Sequence, residues 1–176
     1  MKSSGFYLQS LLTGCLLLIA AFPVRPEEPA EYRLKAAVLY NFARYTEWPS
    51  ETGPTLTLCI LGKDPFGEAI DAMQGKPVGN RELVVRRVRD DDSLLGCHVL
   101  FIAQSAAATL PRVIGQLRNR PVLTVADTPG AGSQGVGLNM VTVQGKVRFE
   151  ANLGAARAAG LQLSSNLLRL ATQVIP

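Results

Sequence analysis

Apolar residues recur at helical spacing early in the chain. Between residues 31 and 45 they fall at i, i+3, i+4, i+8 and i+11, on one helix face: Leu34, Ala37, Val38, Phe42 and Tyr45. Trp48-Pro49 ends this helix, and we interpret Tyr45 and Trp48 as core and cap packing.

Further along, apolar β-branched runs alternate with amphipathic stretches. Strands are predicted at residues 55–61, 81–89, 97–103, 121–126, 136–143 and 146–151. Helices are predicted at 65–74, 106–119, 152–160 and from Ser164 onward, with Leu167, Leu170, Ala171 and Val174 inward in the last one. This alternation is typical of an α/β fold. We therefore expect one layered domain over residues 31–176: a mixed, partly parallel sheet flanked by helices, with a C-terminal β-hairpin and two helices.

The junctions between these elements carry turn and cap signals. Asp64 is placed to cap a helix that has Pro65 at its first position, and Asn152 and Ser164 are placed to cap the last two helices. Gln144-Gly145 predicts a tight hairpin turn.

Two charged segments also indicate local structure. The charges of residues 81–89 suggest a strand at a sheet edge. For Asp90-Asp91-Asp92 we favour a capped turn over a site for a hard cation, because consecutive carboxylates rarely converge on one ion without further oxygen ligands.

The N-terminus has the pattern of an export signal. Lys2 precedes an apolar run from Leu11 to Phe22, which is shorter than the roughly 20 residues that a membrane span needs. We predict a signal peptide over residues 1–21 and a flexible leader over 22–30. Cys15 lies in a stretch that resembles a lipobox, but the apolar run continues for seven residues beyond it, which argues against lipid anchoring.

Composition excludes two classes of protein. Hydrophobic residues make up 47% of the chain and charged residues 18%, which excludes a disordered chain. The net charge is +4, and Lys and Arg form no dense stripe, so we expect no nucleic-acid partner.

Removal of the signal peptide would leave two cysteines, Cys59 and Cys97. An even pair in an exported protein predicts a disulfide. The loop that it would close is worth about 4 kcal/mol in the chain-entropy model. We regard the bridge as a structural staple, and a redox switch that alters partner affinity stays the alternative.

Motifs that usually carry catalysis are incomplete here. Residues 130–135 match G-x-G-x-x-G, but a strand is predicted after them, whereas a dinucleotide site needs a helix N-terminus. His98 is the only histidine and lies in an apolar strand, so we interpret it as structural rather than as a metal ligand or a catalytic base. There is no G-x-S-x-G motif. The sequence predicts neither a cofactor nor an enzymatic activity.

Four polar residues near predicted strand ends are candidate contacts for a ligand or partner: Asp127, Asn139, Arg148 and Glu150. A sheet of this kind offers a crevice at the ends of its strands. A small-ligand binding protein is therefore one hypothesis for this chain.

Several dispersed segments resemble, in the same order, those of YfiR-like periplasmic proteins. They are Leu34–Pro49 (LKAAVLYNFARYTEWP), Cys59–Gly67 (CILGKDPFG), Cys97–Ile102 (CHVLFI), Leu123–Asp127 (LTVAD), Val147–Asn152 (VRFEAN) and Ala159–Ala171 (AGLQLSSNLLRLA). The resemblance covers residues 31–174.

This resemblance implies a non-enzymatic regulator in the periplasm. Such a regulator would bind the periplasmic domain of an inner-membrane diguanylate cyclase and hold it inactive, and an OmpA-like outer-membrane lipoprotein would relieve the repression by sequestering it. Cys59 and Cys97 match one of the family's cysteine pairs, and a second pair is absent. The alternative implied is a small-ligand binder that reports to another membrane sensor, such as a histidine kinase.

We also expect a homodimer, because an edge strand and an exposed hairpin invite pairing.

Overall fold

A computed structural model describes residues 30–176 of the chain. The predicted signal peptide, Cys15 and all of the predicted leader except Ala30 lie outside the described residues.

The described residues form five α-helices and ten β-strands. The helices are α1 Ala30–Arg44, α2 Glu68–Asp71, α3 Leu110–Gln116, α4 Leu153–Ala158 and α5 Ser165–Leu168. The strands are β1 Thr46–Glu47, β2 Thr55–Leu61, β3 Pro77–Val78, β4 Arg81–Val88, β5 Val99–Ile102, β6 Leu123–Ala126, β7 Leu138–Val143, β8 Lys146–Asn152, β9 Gln162–Leu163 and β10 Gln173–Ile175. Short 3-10 helices occupy Ser50–Thr52, Gln104–Thr109 and Gly132–Gln134.

Eight of the strands form one mixed sheet in the order β10-β8-β7-β6-β5-β2-β4-β3. The run from β4 through β2, β5 and β6 to β7 is parallel. β7 and β8 form an antiparallel hairpin, and β10 runs parallel to β8. The mixed, partly parallel sheet flanked by helices confirms the predicted fold class. β1 and β9 form a separate two-stranded ladder.

The sheet separates two apolar cores, since alternate residues of each strand point to opposite faces. On the first face, Leu39 and Phe42 of α1 pack with Leu58 and Ile60 of β2. On the second face, Val113 of α3 packs in the cluster that contains Cys59 and Leu61 of β2. Each buried Leu, Ile or Phe contributes about 1.5–3 kcal/mol.

The C-terminal segment differs from its prediction. Ser164 does cap a helix, since its Oγ accepts the Leu167 N–H at 3.2 Å, but α5 has only four residues. The Thr172 N–H then donates to Phe149 O at 2.8 Å, and β10 pairs with β8. The prediction that Leu170 and Val174 point inward is wrong: they are 67% and 42% exposed.

Other elements also differ at their boundaries. The helix predicted at 65–74 is only α2, because Asp64 instead accepts the Phe66 N–H at 2.7 Å in a preceding turn. The helix predicted at 106–119 is a 3-10 helix followed by α3. β3 pairs with only the first two residues of β4, and no other described strand pairs with that side of β4, so the predicted sheet edge holds from Leu83 to Val88.

Two turn predictions are confirmed. Gln144 and Gly145 both have positive φ, as a tight hairpin turn requires. Asp92 accepts the Arg89 N–H at 2.7 Å, which makes the acidic triplet part of a turn.

His98 joins β2 to β5, in line with its predicted structural role. Its Nδ1 accepts the backbone N–H of Thr57 at 3.0 Å, and the backbone N–H of His98 donates to Thr57 O at 2.9 Å. Burial, and to a smaller extent the charge of Arg81, lowers the pKa of His98. The neutral imidazole is therefore the form that the fold favours.

This shift predicts a pH dependence of stability. An unfolded histidine binds a proton with a pKa of about 6.5, and the folded His98 does so less readily. The contribution of the neutral His98 to the stability of the fold is thus fully present above the unfolded pKa, and it is lost as the pH falls below that value. We expect a lower thermal unfolding midpoint at pH 5.5 than at pH 7.5.

His98→Asn is the matched control, because an amide oxygen accepts the Thr57 hydrogen bond without titrating. As His98 is the only histidine, the variant should lose most of the pH dependence in this window. An unchanged pH dependence in the variant would contradict the assignment.

Candidate functional site

A buried ion pair fixes α1 to the sheet at the carboxyl end of β6. The Lys35 Nζ lies 2.7 Å from Asp127 Oδ2 and 2.8 Å from Glu31 Oε1. The Tyr32 hydroxyl donates to the same Asp127 oxygen at 2.9 Å. Lys35 is 3% exposed and the Asp127 side chain is fully buried. We call Glu31, Tyr32, Lys35 and Asp127 the α1 cluster.

The charges of the α1 cluster depend on each other. Burial alone would lower the pKa of Lys35, but its hydrogen bonds to Asp127 and Glu31 outweigh burial and raise that pKa. The hydrogen bonds from Lys35 and Thr142 lower the pKa of Glu31. Burial, together with the Asp127 charge, raises the pKa of Tyr32. At neutral pH Lys35 is therefore a cation between two carboxylates, and Tyr32 is a neutral donor.

The α1 cluster extends in two directions. Towards the core, the Tyr32 ring meets Phe66 edge-on at 5.6 Å between centroids, and Phe66 meets Phe101 at 4.7 Å. Towards the hairpin, the Thr142 hydroxyl donates to Glu31 at 2.8 Å. The first turns of α1 thus contact β7 and the residue that follows β6, and they reach β5 through Phe66.

The predicted disulfide is confirmed. It joins Cys59 in β2 to Cys97, which precedes β5, with the two Cα atoms 5.8 Å apart. The Arg86 guanidinium lies against the bridge and donates to Cys97 Sγ at 3.0 Å, Cys59 Sγ at 3.4 Å and Leu95 O at 2.9 Å. The staple therefore holds the turn before β5 to β2 and β4. Sequence reasoning treated Arg86 only as an edge charge.

The four predicted contact residues do not converge on one pocket. Asp127 bonds to α1 on the first face of the sheet. Asn139 is fully buried, and its Nδ2 donates to Glu150 Oε2 at 3.1 Å on the opposite face. Arg148 is exposed on β8. A role for these residues in binding a ligand stays a prediction.

The glycine-rich loop is packed against β8. Asn152 Nδ2 donates to Gly132 O at 2.9 Å. A Cβ at Gly132 would lie 3.1 Å from Glu150 Oε2 and 3.3 Å from Ile175 Cδ1. The loop leads into β7, as predicted, so its glycines serve close backbone packing.

An apolar groove opens on the first face, beside the α1 cluster. We call it the α1–β8–α5 groove, after the elements that supply its apolar side chains: Val38, Phe42, Tyr45, Val147, Phe149, Leu167 and Leu170. It encloses about 360 Å³. Tyr45 is 38% exposed and Leu170 is 67% exposed. The helical spacing of Tyr45 and Leu170 predicts core positions for both residues, so the sequence did not indicate this groove.

These features define a single-domain α/β protein with a stapled mixed sheet and an open apolar groove. Within residues 30–176, no helix combines the length and apolar character that a bilayer crossing requires. A profile of the YfiR/HmsC-like family matches residues 32–172, which is most of the chain. The chain belongs to this family. It is a family of periplasmic regulators that is not known for enzymatic activity.

Cys59→Ser should lower stability. Loss of the bridge frees a long loop in the unfolded chain, which costs roughly 2–5 kcal/mol. Urea unfolding of variant and wild type measures the difference, and non-reduced peptide mapping should show Cys59 joined to Cys97 in the wild type. Recovery of both residues as free thiols from an oxidising compartment would refute the bridge.

Lys35→Met should also destabilise the fold. It leaves the buried Asp127 carboxylate without its counter-charge, which typically costs about 3–5 kcal/mol. Lys63→Met is a matched control at an exposed lysine and should change stability by less than about 0.5 kcal/mol. Replacing both partners, as Lys35→Met/Asp127→Leu, should recover part of the loss. Equal unfolding midpoints in urea for Lys35→Met and Lys63→Met would rule out the ion pair as a main support of α1.

Proposed function

We propose that this chain is a periplasmic, non-enzymatic regulator that binds the periplasmic domain of an inner-membrane diguanylate cyclase and represses cyclic di-GMP synthesis. The observation that carries the proposal is the family match, which runs from the third residue of α1 to the residue before β10. Tyr32, Lys35 and Asp127 of the α1 cluster and all the residues that line the groove fall within it, whereas Glu31 precedes it.

Location in the periplasm rests on two features of the chain. The first 21 residues have the pattern of a signal peptide. The Cys59–Cys97 disulfide also fits an oxidising compartment, since such bridges are rare in the cytosol.

Repression requires only that the regulator binds one conformation of the sensor better than the other. A preference of about 100-fold corresponds to roughly 2.7 kcal/mol, within the range typical of allosteric coupling. One well-packed apolar contact with a polar rim supplies a difference of this size. An OmpA-like outer-membrane lipoprotein would relieve repression by competing for the free regulator.

Deletion of the gene in its host should raise cellular cyclic di-GMP, because the cyclase loses its repressor. Complementation with the full chain should restore the lower level. Complementation with a chain that lacks residues 2–21 should not, because it would stay in the cytoplasm. The nucleotide is quantified by mass spectrometry of cell extracts. Unchanged cyclic di-GMP in the deletion strain would refute the proposed function.

A further inference from the structure

The α1–β8–α5 groove combines apolar side chains with a free strand edge. β10 pairs only with the last three residues of β8, from Glu150 to Asn152, and Thr172 bonds to Phe149 O just before them. Within residues 30–176 no strand pairs with the outer side of β8 at Val147. The unpaired N–H and C=O groups of such a strand edge are a template for pairing with another strand.

The register of the hairpin shows where these backbone groups point. Phe149 O is on the outer side, because it accepts from Thr172. Val147 lies two residues earlier, so its N–H and C=O point the same way. An extended chain that pairs there would place every second side chain in the groove, beside the side chains of Val147 and Phe149.

The opposite face of the same segment is cationic. Lys146 and Arg148 alternate with Val147 and Phe149, and both are exposed. The first acidic residue of β8, Glu150, lies beyond this segment, opposite Gln173 of β10, and is bonded to Asn139.

We propose that the α1–β8–α5 groove binds an extended segment of a partner protein that pairs with the edge of β8 at Val147, its apolar side chains in the groove and its alternate acidic side chains beside Lys146 and Arg148. The partner's identity as the cyclase rests on the proposed function, whereas the chemistry of the segment does not. A second copy of this chain, or residues 22–29 of the same chain, are the competing occupants.

Synthetic probes test the chemistry without the partner. We would titrate the ¹⁵N-labelled chain, expressed from residue 22, with the peptide Leu-Asp-Phe-Asp-Leu and with its twin Leu-Lys-Phe-Lys-Leu. The acidic peptide should bind at least tenfold more tightly and shift the amide signals of Val147 and Phe149. A third peptide, N-methylated at the phenylalanine and its two neighbours, should bind at least tenfold more weakly because it loses its main-chain donors. Equal binding of the acidic and basic twins, or no binding of either, would overturn the proposal.

Variants locate the binding. Leu170→Asp should weaken the acidic peptide at least tenfold, whereas Leu95→Asp is a matched control, since Leu95 is 69% exposed and lies beside the disulfide rather than the groove. Lys146→Glu/Arg148→Glu should reverse the preference between the twins. All variants should keep the wild-type circular dichroism and thermal midpoint. Equal affinity of Leu170→Asp and Leu95→Asp would remove the groove as the site.

Two further measurements separate this inference from the proposed function. In the complemented deletion strain, Leu170→Asp should fail to lower cyclic di-GMP and Leu95→Asp should succeed; full repression by Leu170→Asp would overturn the groove and leave the function standing. Peptide binding by the wild type together with an unchanged cyclic di-GMP level in the deletion strain would support the groove and refute the cyclase as its partner.

The competing occupants have their own tests. Ultracentrifugation that shows a dimer dissociated by Leu170→Asp would assign the groove to a second copy. Tighter peptide binding by a chain that starts at residue 30 would assign it to residues 22–29. Either result would overturn the proposal.

Discussion

A lysine ammonium that is buried to 3% exposure needs a carboxylate beside it, and Asp127 provides one at the carboxyl end of β6. This requirement sets the position of α1 across the sheet. The Tyr32 hydroxyl and the Glu31 carboxylate complete the arrangement, and Thr142 connects it to the hairpin. Since α1 forms one wall of the groove and β8 another, the width of the groove depends on the same ion pair. A feature of the core thus determines the shape of a surface.

The neighbouring strands β5, β2 and β4 are held by different means. There the disulfide joins β2 to the turn before β5, and the Arg86 guanidinium bonds to both sulfur atoms and to a backbone carbonyl. Together with the reciprocal bonds between His98 and Thr57, these contacts tie three neighbouring strands over a short distance. The sheet is therefore anchored at two places, by the ion pair at the end of β6 and by the covalent bond between β2 and the turn before β5, and α1 and the hairpin belong to the ionic one.

Local signals in the sequence predicted much of this fold. The alternation of apolar runs indicated the mixed sheet, Gln144-Gly145 indicated the hairpin, and Asn152 and Ser164 cap helices as predicted. The site was less predictable. Lys35 and Asp127 are 92 residues apart, so no local pattern joins them. Leu170 fits a helical face by spacing, but the open edge of β8 captures the residues after it as β10 and leaves Leu170 exposed. Tertiary strand pairing outweighed local helix propensity there.

The distance along the chain between Lys35 and Asp127 also orders events when the chain is made. Synthesis proceeds from the N-terminus, so α1 emerges well before β6 does. Until Asp127 follows, Lys35 has only Glu31, four residues away on the same helix, as a counter-charge. Both cysteines also emerge before that point, because Cys97 precedes Asp127 in the chain. The disulfide can therefore form while α1 is not yet packed on the sheet. The apolar face of α1 becomes buried only after β6, β7 and β8 have been made.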